Sequence, residues 1–139
     1  MPTNSKWVKL DSHFDRYAAD VDRAVTRTLG HSAATVVAVA RGKGSPYRIN
    51  SILSTIKAWP VIRTVHGWEV HVVSSDFREI FFELGTLGRR KRAIKGQRKL
   101  PTRTVGGKVR GIKPGYFLAT GLKVAKARLL SDLKHEMPR

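Results

Sequence analysis

Three carboxylates at helical intervals, Asp76, Glu79 and Glu83, are the nearest this chain comes to an acid–base or metal-binding set. On a helix that spacing puts them on one face. Metal-assisted phosphoryl chemistry gathers carboxylates from separate elements, and a two-metal site needs more of them than this chain can bring together. The shared face is expected to be solvated, or to meet basic side chains from elsewhere in the chain. His66 and His71 straddle a turn at an odd separation, so strand alternation sends them to opposite sides and they do not form a ligand pair. Gly42-Lys43-Gly44-Ser45 and Gly106-Gly107-Lys108 have the residue types of a phosphate loop without its GxxxxGK[ST] spacing. There is no Cys, which excludes disulfides and thiolate metal sites. No catalytic residue, metal or cofactor is expected. The chain reads as a binding protein, not an enzyme.

One stretch carries the charge. Between Thr86 and Lys113 lie eleven basic residues, Arg89, Arg90, Lys91, Arg92, Lys95, Arg98, Lys99, Arg103, Lys108, Arg110 and Lys113, with no Asp or Glu. The whole 139-residue chain has 27 Lys and Arg against 10 Asp and Glu, a net charge of +17, and the excess is concentrated here. We define residues 87–113 as a basic arm. A segment this polar cannot order by burying its own side chains and is expected to be mobile in isolation. Its charge calls for a polyanion or an acidic protein surface. Aromatic residues are absent between Thr86 and Lys113, which disfavours stacking on the bases of a single strand. Contact with the backbone of duplex DNA fits better, each phosphate adding roughly 0.9 to the salt slope.

The remaining sequence supplies the elements that would hold this arm. Trp7 to Leu10 reads as a short strand, with Asp11 and Ser12 as helix-cap candidates after it. From Phe14 the pattern turns helical. Phe14, Tyr17, Ala18, Val21, Ala24, Val25 and Thr28 share a face, and the stripe runs on through Ala33, Ala34, Val37 and Ala38. Gly42 to Pro46 breaks that helix. Tyr47 to Lys57 reads as a short helix, with Ser45 as cap and Pro46 in its first turn. Val61 to Val65 and Trp68 to Val73 form a hairpin around His66-Gly67. Trp68, Val70 and Val72 lie on its buried face. Ser74 or Ser75 caps a helix from Asp76 to Leu84 that Gly85 stops. After the arm, Pro114 opens a last helix with Phe117, Leu118, Gly121, Leu122, Ala125, Leu129 and Leu133 in phase.

The expected fold is α+β, a single domain over residues 1–139. A long N-terminal helix and a C-terminal helix pack on a small antiparallel β-sheet, with the long basic loop inserted before the last helix. No apolar run approaches the roughly 20 residues of a membrane span. The N-terminal residues lack an apolar signal core, so an intracellular product is expected.

Three segments in order carry a family resemblance. They are Arg48-Ile49-Asn50-Ser51-Ile52, then Ile80-Phe81-Phe82-Glu83-Leu84-Gly85-Thr86, then Ile112-Lys113-Pro114-Gly115-Tyr116-Phe117-Leu118-Ala119-Thr120-Gly121-Leu122. Their order and separations resemble the head–tail joining proteins of long-tailed bacteriophages, also called neck, tail-completion or minor tail proteins. In that pattern a long helix leads to a Ser-Ile motif, a hairpin, an aromatic helix ending in E(F/L)GT, a variable loop and a proline-led C-terminal helix. Ser51, Ile52, Glu83, Gly85, Thr86, Pro114, Phe117 and Leu118 are the matching structural positions. Many relatives have Thr-Gly where this chain has Pro46-Tyr47, and the loop here is longer and more basic.

The resemblance implies a structural virion protein at the head–tail junction, made in the host cytoplasm. It implies a homo-oligomeric ring, of six or twelve copies, between the portal-side connector and the tail-terminator or tail-tube proteins. No membrane partner is implied. The arm would then meet either the packaged duplex DNA or an acidic neighbouring subunit. The alternative that shares the arm but not the three motifs is an architectural protein binding duplex DNA without sequence specificity. A ribosome-associated RNA binder fits the charge as well, and a metal-dependent nuclease fits least.

Overall fold

The structure is a computed structural model. It describes residues 5–85, 102–105 and 108–138, and the side chains of 13–85 and 112–138. The fold is α+β, with a long N-terminal helix, a C-terminal helix and small antiparallel sheets.

Helix α1 spans Ser5–Gly44, 40 residues, or about 60 Å at 1.5 Å per residue. Trp7 to Leu10, expected as a strand, belong to it. An isolated four-residue strand would leave its backbone groups without partners, whereas a helix satisfies them internally. The core face is Ala24, Thr28, Ala33, Val36 and Ala40, all buried. Thr28 is tolerated there because its hydroxyl donates to the Ala24 carbonyl at 2.9 Å. Phe14 and Tyr17 fall in the same stripe but remain 64% and 51% exposed.

The expected helix from Tyr47 to Lys57 divides into three. A 3-10 turn, Ser45–Tyr47, is followed by α2 (Asn50–Leu53) and strand β1 (Ile56–Ala58). Pro46 sits in the first turn as expected, but Ser45 makes no cap bond. Arg48 takes a left-handed conformation at φ 54°, which ends the turn. The Arg41 guanidinium then donates to the carbonyls of Leu53 and Ile56 at 3.3 and 2.9 Å. Carbonyls held this way do not need a continuing helix.

Strands β2 (Ile62–Thr64), β3 (Gly67–Glu69) and β4 (Val72–Ser74) complete a long hairpin with β1. Ile62 pairs with Glu69 and Thr64 with Gly67, so the turn is Val65-His66, one residue earlier than expected. Ile56 pairs with Ser74 and Ala58 with Val72 in the outer ladder. Between the ladders, Trp59-Pro60-Val61 faces the shorter Val70-His71. Pro60 has no N–H to give to the ladder, and only Trp59 bridges the gap, donating to the His71 carbonyl at 2.8 Å. Trp68 fastens the hairpin to α1 by donating from Nε1 to Asp22 at 2.6 Å.

The helix expected from Asp76 is shorter: α3 covers Glu79–Glu83, and neither Ser74 nor Ser75 caps it. Asp76 instead accepts the Arg78 N–H at 2.9 Å and holds a turn ahead of the helix. Gly85, at φ +73°, follows α3 as its stop. Within the arm, β5 (Thr102–Val105) pairs antiparallel with β6 (Lys108–Ile112). This part of the arm is paired strand, which the reading from its charges did not include. β-Branched residues at 102, 104, 105, 109 and 112, with Gly106-Gly107 between the strands in sequence, give the physical reason. Thr102 pairs with Ile112 but Thr104 with Val109, a one-residue bulge that sets Arg110 and Gly111 against Arg103.

Helix α4 (Phe117–Glu136) begins three residues after Pro114 and runs antiparallel to α1. Gly121 lies against Val36, and Arg27 meets Glu136 at 3.2 Å near the other end. The core gathers where the two helices, α2 and β1 converge: Ala40, Tyr47, Leu53, Ile56 and the fully buried Phe117.

Two glycines make opposite predictions. A Cβ on Gly121 would lie 2.7 Å from the Val36 carbonyl oxygen, whereas one on Gly30 meets nothing within 4 Å. In urea unfolding, Gly121→Leu should lose roughly 1–3 kcal/mol from overpacking. Gly30→Ala should gain about 0.5–1 kcal/mol from helix propensity.

Candidate functional site

The three resemblance-bearing segments meet at the base of the arm. After α3, the Phe82 and Glu83 carbonyls accept the N–H groups of Gly115 and Tyr116 at 2.8 and 3.1 Å. The Glu83 carboxylate then spans two further donors, with Leu118 N–H on Oε2 and Ala119 N–H on Oε1, each at 3.1 Å. These are orphan N–H groups of the first turn of α4, which contains no acid of its own. Its cap residue, Tyr116, is left-handed at φ 49° and gives no side-chain bond. The cap comes instead from another helix.

Tyr47, ahead of the Ser51-Ile52 segment, joins the same junction. Its ring packs edge-on against Phe117 at 5.0 Å and Phe82 at 6.0 Å, and its hydroxyl donates to the Lys113 carbonyl at 2.9 Å. Ile49 packs against the same cluster and Ile52 is buried, while Ser51 is exposed and its carbonyl accepts the Ser54 hydroxyl. Gly85 is held close: a Cβ there would lie 2.6 Å from the Ile112 carbonyl oxygen and 2.8 Å from the Pro114 ring. Gly115 has no room either, because a Cβ would run into the Phe117 ring. The arm therefore leaves the body at Gly85 and returns at Ile112, the same point.

The three carboxylates do not form a shared solvated face. Asp76 precedes the helix and is ion-paired with Arg78, which holds its carboxyl below the usual range through the hydrogen bond between them. Glu83 is the cap of α4. Glu79 is buried, 6% exposed, and its Oε1 has no hydrogen-bond partner. Burial first, and the neighbouring Glu83 second, raise its pKa. Spacing alone could not separate these fates. The one legible signal was the absence of any Ser, Thr, Asp or Asn cap before Phe117.

Of the basic positions, Arg89, Arg90, Lys91, Arg92, Lys95, Arg98 and Lys99 lie outside the described residues, as does Thr86. Arg103 lies on β5, and Lys108 and Arg110 on β6. Around the junction, Phe77, Ile80, Phe81, Leu84 and Tyr116 are exposed, with the Phe77 and Phe81 rings 6.5 Å apart. Such a patch suits docking against a protein surface. Among the described residues, no three His, Asp or Glu side chains come together to hold a metal ion. Among them, too, no helix is long and apolar enough to cross a membrane.

Two measurements check this geometry. Glu83→Ala should destabilise the chain by about 1–2 kcal/mol through loss of the α4 cap. Glu83→Gln, with one acceptor oxygen left, should lose less. Glu79 gives a pH signature. Its raised folded pKa means the folded chain holds the proton more tightly than the unfolded chain, so stability falls as pH rises through that window. Glu79→Gln should therefore melt higher than the parent at neutral pH, with the difference closing as pH falls below the ordinary glutamate value of 4.5.

The chain matches no protein-family model, no curated protein and no solved structure, so no relative lends it a family or an activity.

Proposed function

We propose that this chain is a structural subunit of the neck of a long-tailed bacteriophage. Copies assemble into a ring that joins the portal-side connector of the DNA-filled head to the tail. The folded body makes the contacts between copies and with the neighbouring rings. The basic arm meets the backbone of the packaged duplex or the acidic surface of an adjacent subunit. The work is binding, with no catalytic step.

The observation that carries this reading is the convergence of the three segments that resemble the neck family. They are far apart in sequence, yet Ile49, Phe82, Ile112 and Leu118 pack on one core cluster, and Glu83, Gly85, Gly115 and Phe117 lock together beside it. A joint of that kind explains why the residue types occur together. The exposed apolar patch beside it and the acid-free basic arm add a protein-binding and an anion-binding surface. The arm by itself also supports the second reading, an architectural protein on duplex DNA. That reading gives no part to the junction.

Fractionating lysate from producing cells, with and without DNase, separates the two. Quantified by mass spectrometry, the chain should co-sediment with DNase-resistant particles at a few copies per particle. Recovery with free DNA, released by DNase and absent from particles, would overturn the neck reading in favour of the architectural one.

A further inference from the structure

Helix α1 is twice as long as the helix it packs against: 40 residues against the 20 of α4. The Arg27–Glu136 ion pair marks where α4 ends alongside it. Upstream of it α1 continues for about six turns, and every described side chain from 13 to 20 is exposed. A helix of about 15 residues without tertiary contacts is marginal in water. This overhang nevertheless carries an apolar stripe, Phe14, Tyr17, Ala18 and Val21, in phase with the buried stripe that begins at Ala24. The pattern is that of a packing face, and among the described residues nothing covers Phe14, Tyr17 and Ala18, while Val21 is half-buried.

The same molecule presents a matching receptor. A groove of about 370 Å³ runs between α1, the hairpin and α4, lined by Leu29, Val36, Val70, Val72, Leu122 and Leu129. That is within the roughly 300–1,000 Å³ of sites that enclose apolar ligands. The overhang cannot fill the groove of its own chain, because both lie along one unbroken helix and Leu29 and Val36 are part of the groove wall. Charge selects the occupant. Of the four acids within residues 11–22, Asp20 pairs with Arg23 and Asp22 with Arg63, while Asp15, next to Arg16, is exposed with no ion pair among the described residues. Lys126 lines the groove, and the outer face of α4 adds the exposed Lys123 and Lys134. In a chain of net charge +17, a like copy binds best where it offers an unpaired acid beside an apolar stripe, and Asp15 is such an acid on the overhang.

We infer that the N-terminal overhang of α1 docks into the apolar groove of a second copy, with Phe14 and Tyr17 in the groove and Asp15 toward the lysines of α4. Each copy offers one overhang and one groove, so the contact is heterologous and propagates head to tail until it closes. The inference rests on the ring reading and names the surfaces that build it.

The chain has no Cys, so introduced thiols are unique. Tyr17→Cys and Leu129→Cys proteins, purified separately, are mixed under mild oxidation and run on a non-reducing gel. In parallel, the molar mass of the parent is compared with that of a Phe14→Glu/Tyr17→Glu variant, with helix content checked by circular dichroism. The expected result is a disulfide-linked heterodimer from the mixture, an oligomeric parent, and a monomeric variant of unchanged helix content over the body. A variant that assembles like the parent, with no heterodimer, would overturn the docking while leaving the ring intact. A parent that stays monomeric at every concentration, with no heterodimer, would overturn ring and docking together.

Discussion

The carboxylate of Glu83 ends two backbone N–H groups of a helix that starts 34 residues later in the chain. A helix N-terminus carries a partial positive charge and orphan donors that must be met somehow. In α4 the sequence supplies neither a capping hydroxyl nor an acid in the first turn, and Tyr116 enters it from a left-handed conformation. The helix is thus anchored by α3. Because both oxygens are used, the bond fixes orientation as well as position. Phe117, the next residue, is set fully into the core between Tyr47 and its neighbours. The acid beside Glu83 then bears the consequence. Glu79 is buried next to a carboxylate committed elsewhere and has nothing to donate to its Oε1.

That anchor also determines what kind of surface the molecule can offer. The two ends of the arm at Gly85 and Ile112, helix α3 and the start of α4 are joined by backbone hydrogen bonds and close contact. The far end of α1 projects in the opposite sense, beyond the last turn of α4. Under the proposed neck role, the first would face neighbours or DNA and the second would reach along the ring. The described core is small, while Phe14, Trp59, Phe77 and Leu130 remain exposed.

Long periodic segments were legible in the sequence because their signal is local. The two long helices, the hairpin around residue 66 and the α+β class all follow from apolar spacing. Short elements were not, because tertiary partners decide them. Ile56 to Ala58 became a strand since Val72 to Ser74 was there to pair with it and Arg41 took the carbonyls. Thr102 to Ile112 was read through its charges, although its β-branched residues and diglycine already spelled a hairpin. Glu83 showed the same limit at the site. Its spacing from Asp76 and Glu79 was visible, but the N–H groups that claim it lie across the arm. Phe14 and Tyr17 were rightly placed on one apolar stripe. What the stripe could not reveal was that α4 ends too soon to cover them.

Gly85 and Ile112 touch, and that contact has an evolutionary consequence. A segment whose two ends are clamped side by side can change length and composition without moving anything else. Doubling such a loop adds only about 0.6 kcal/mol to the entropy of closing it. The body and the arm are therefore separable units of variation, one constrained by packing and the other by whatever it touches. Related bodies could carry arms of quite different length and charge, and the clamp would tolerate a grafted peptide between Gly85 and Ile112 as readily as the native one.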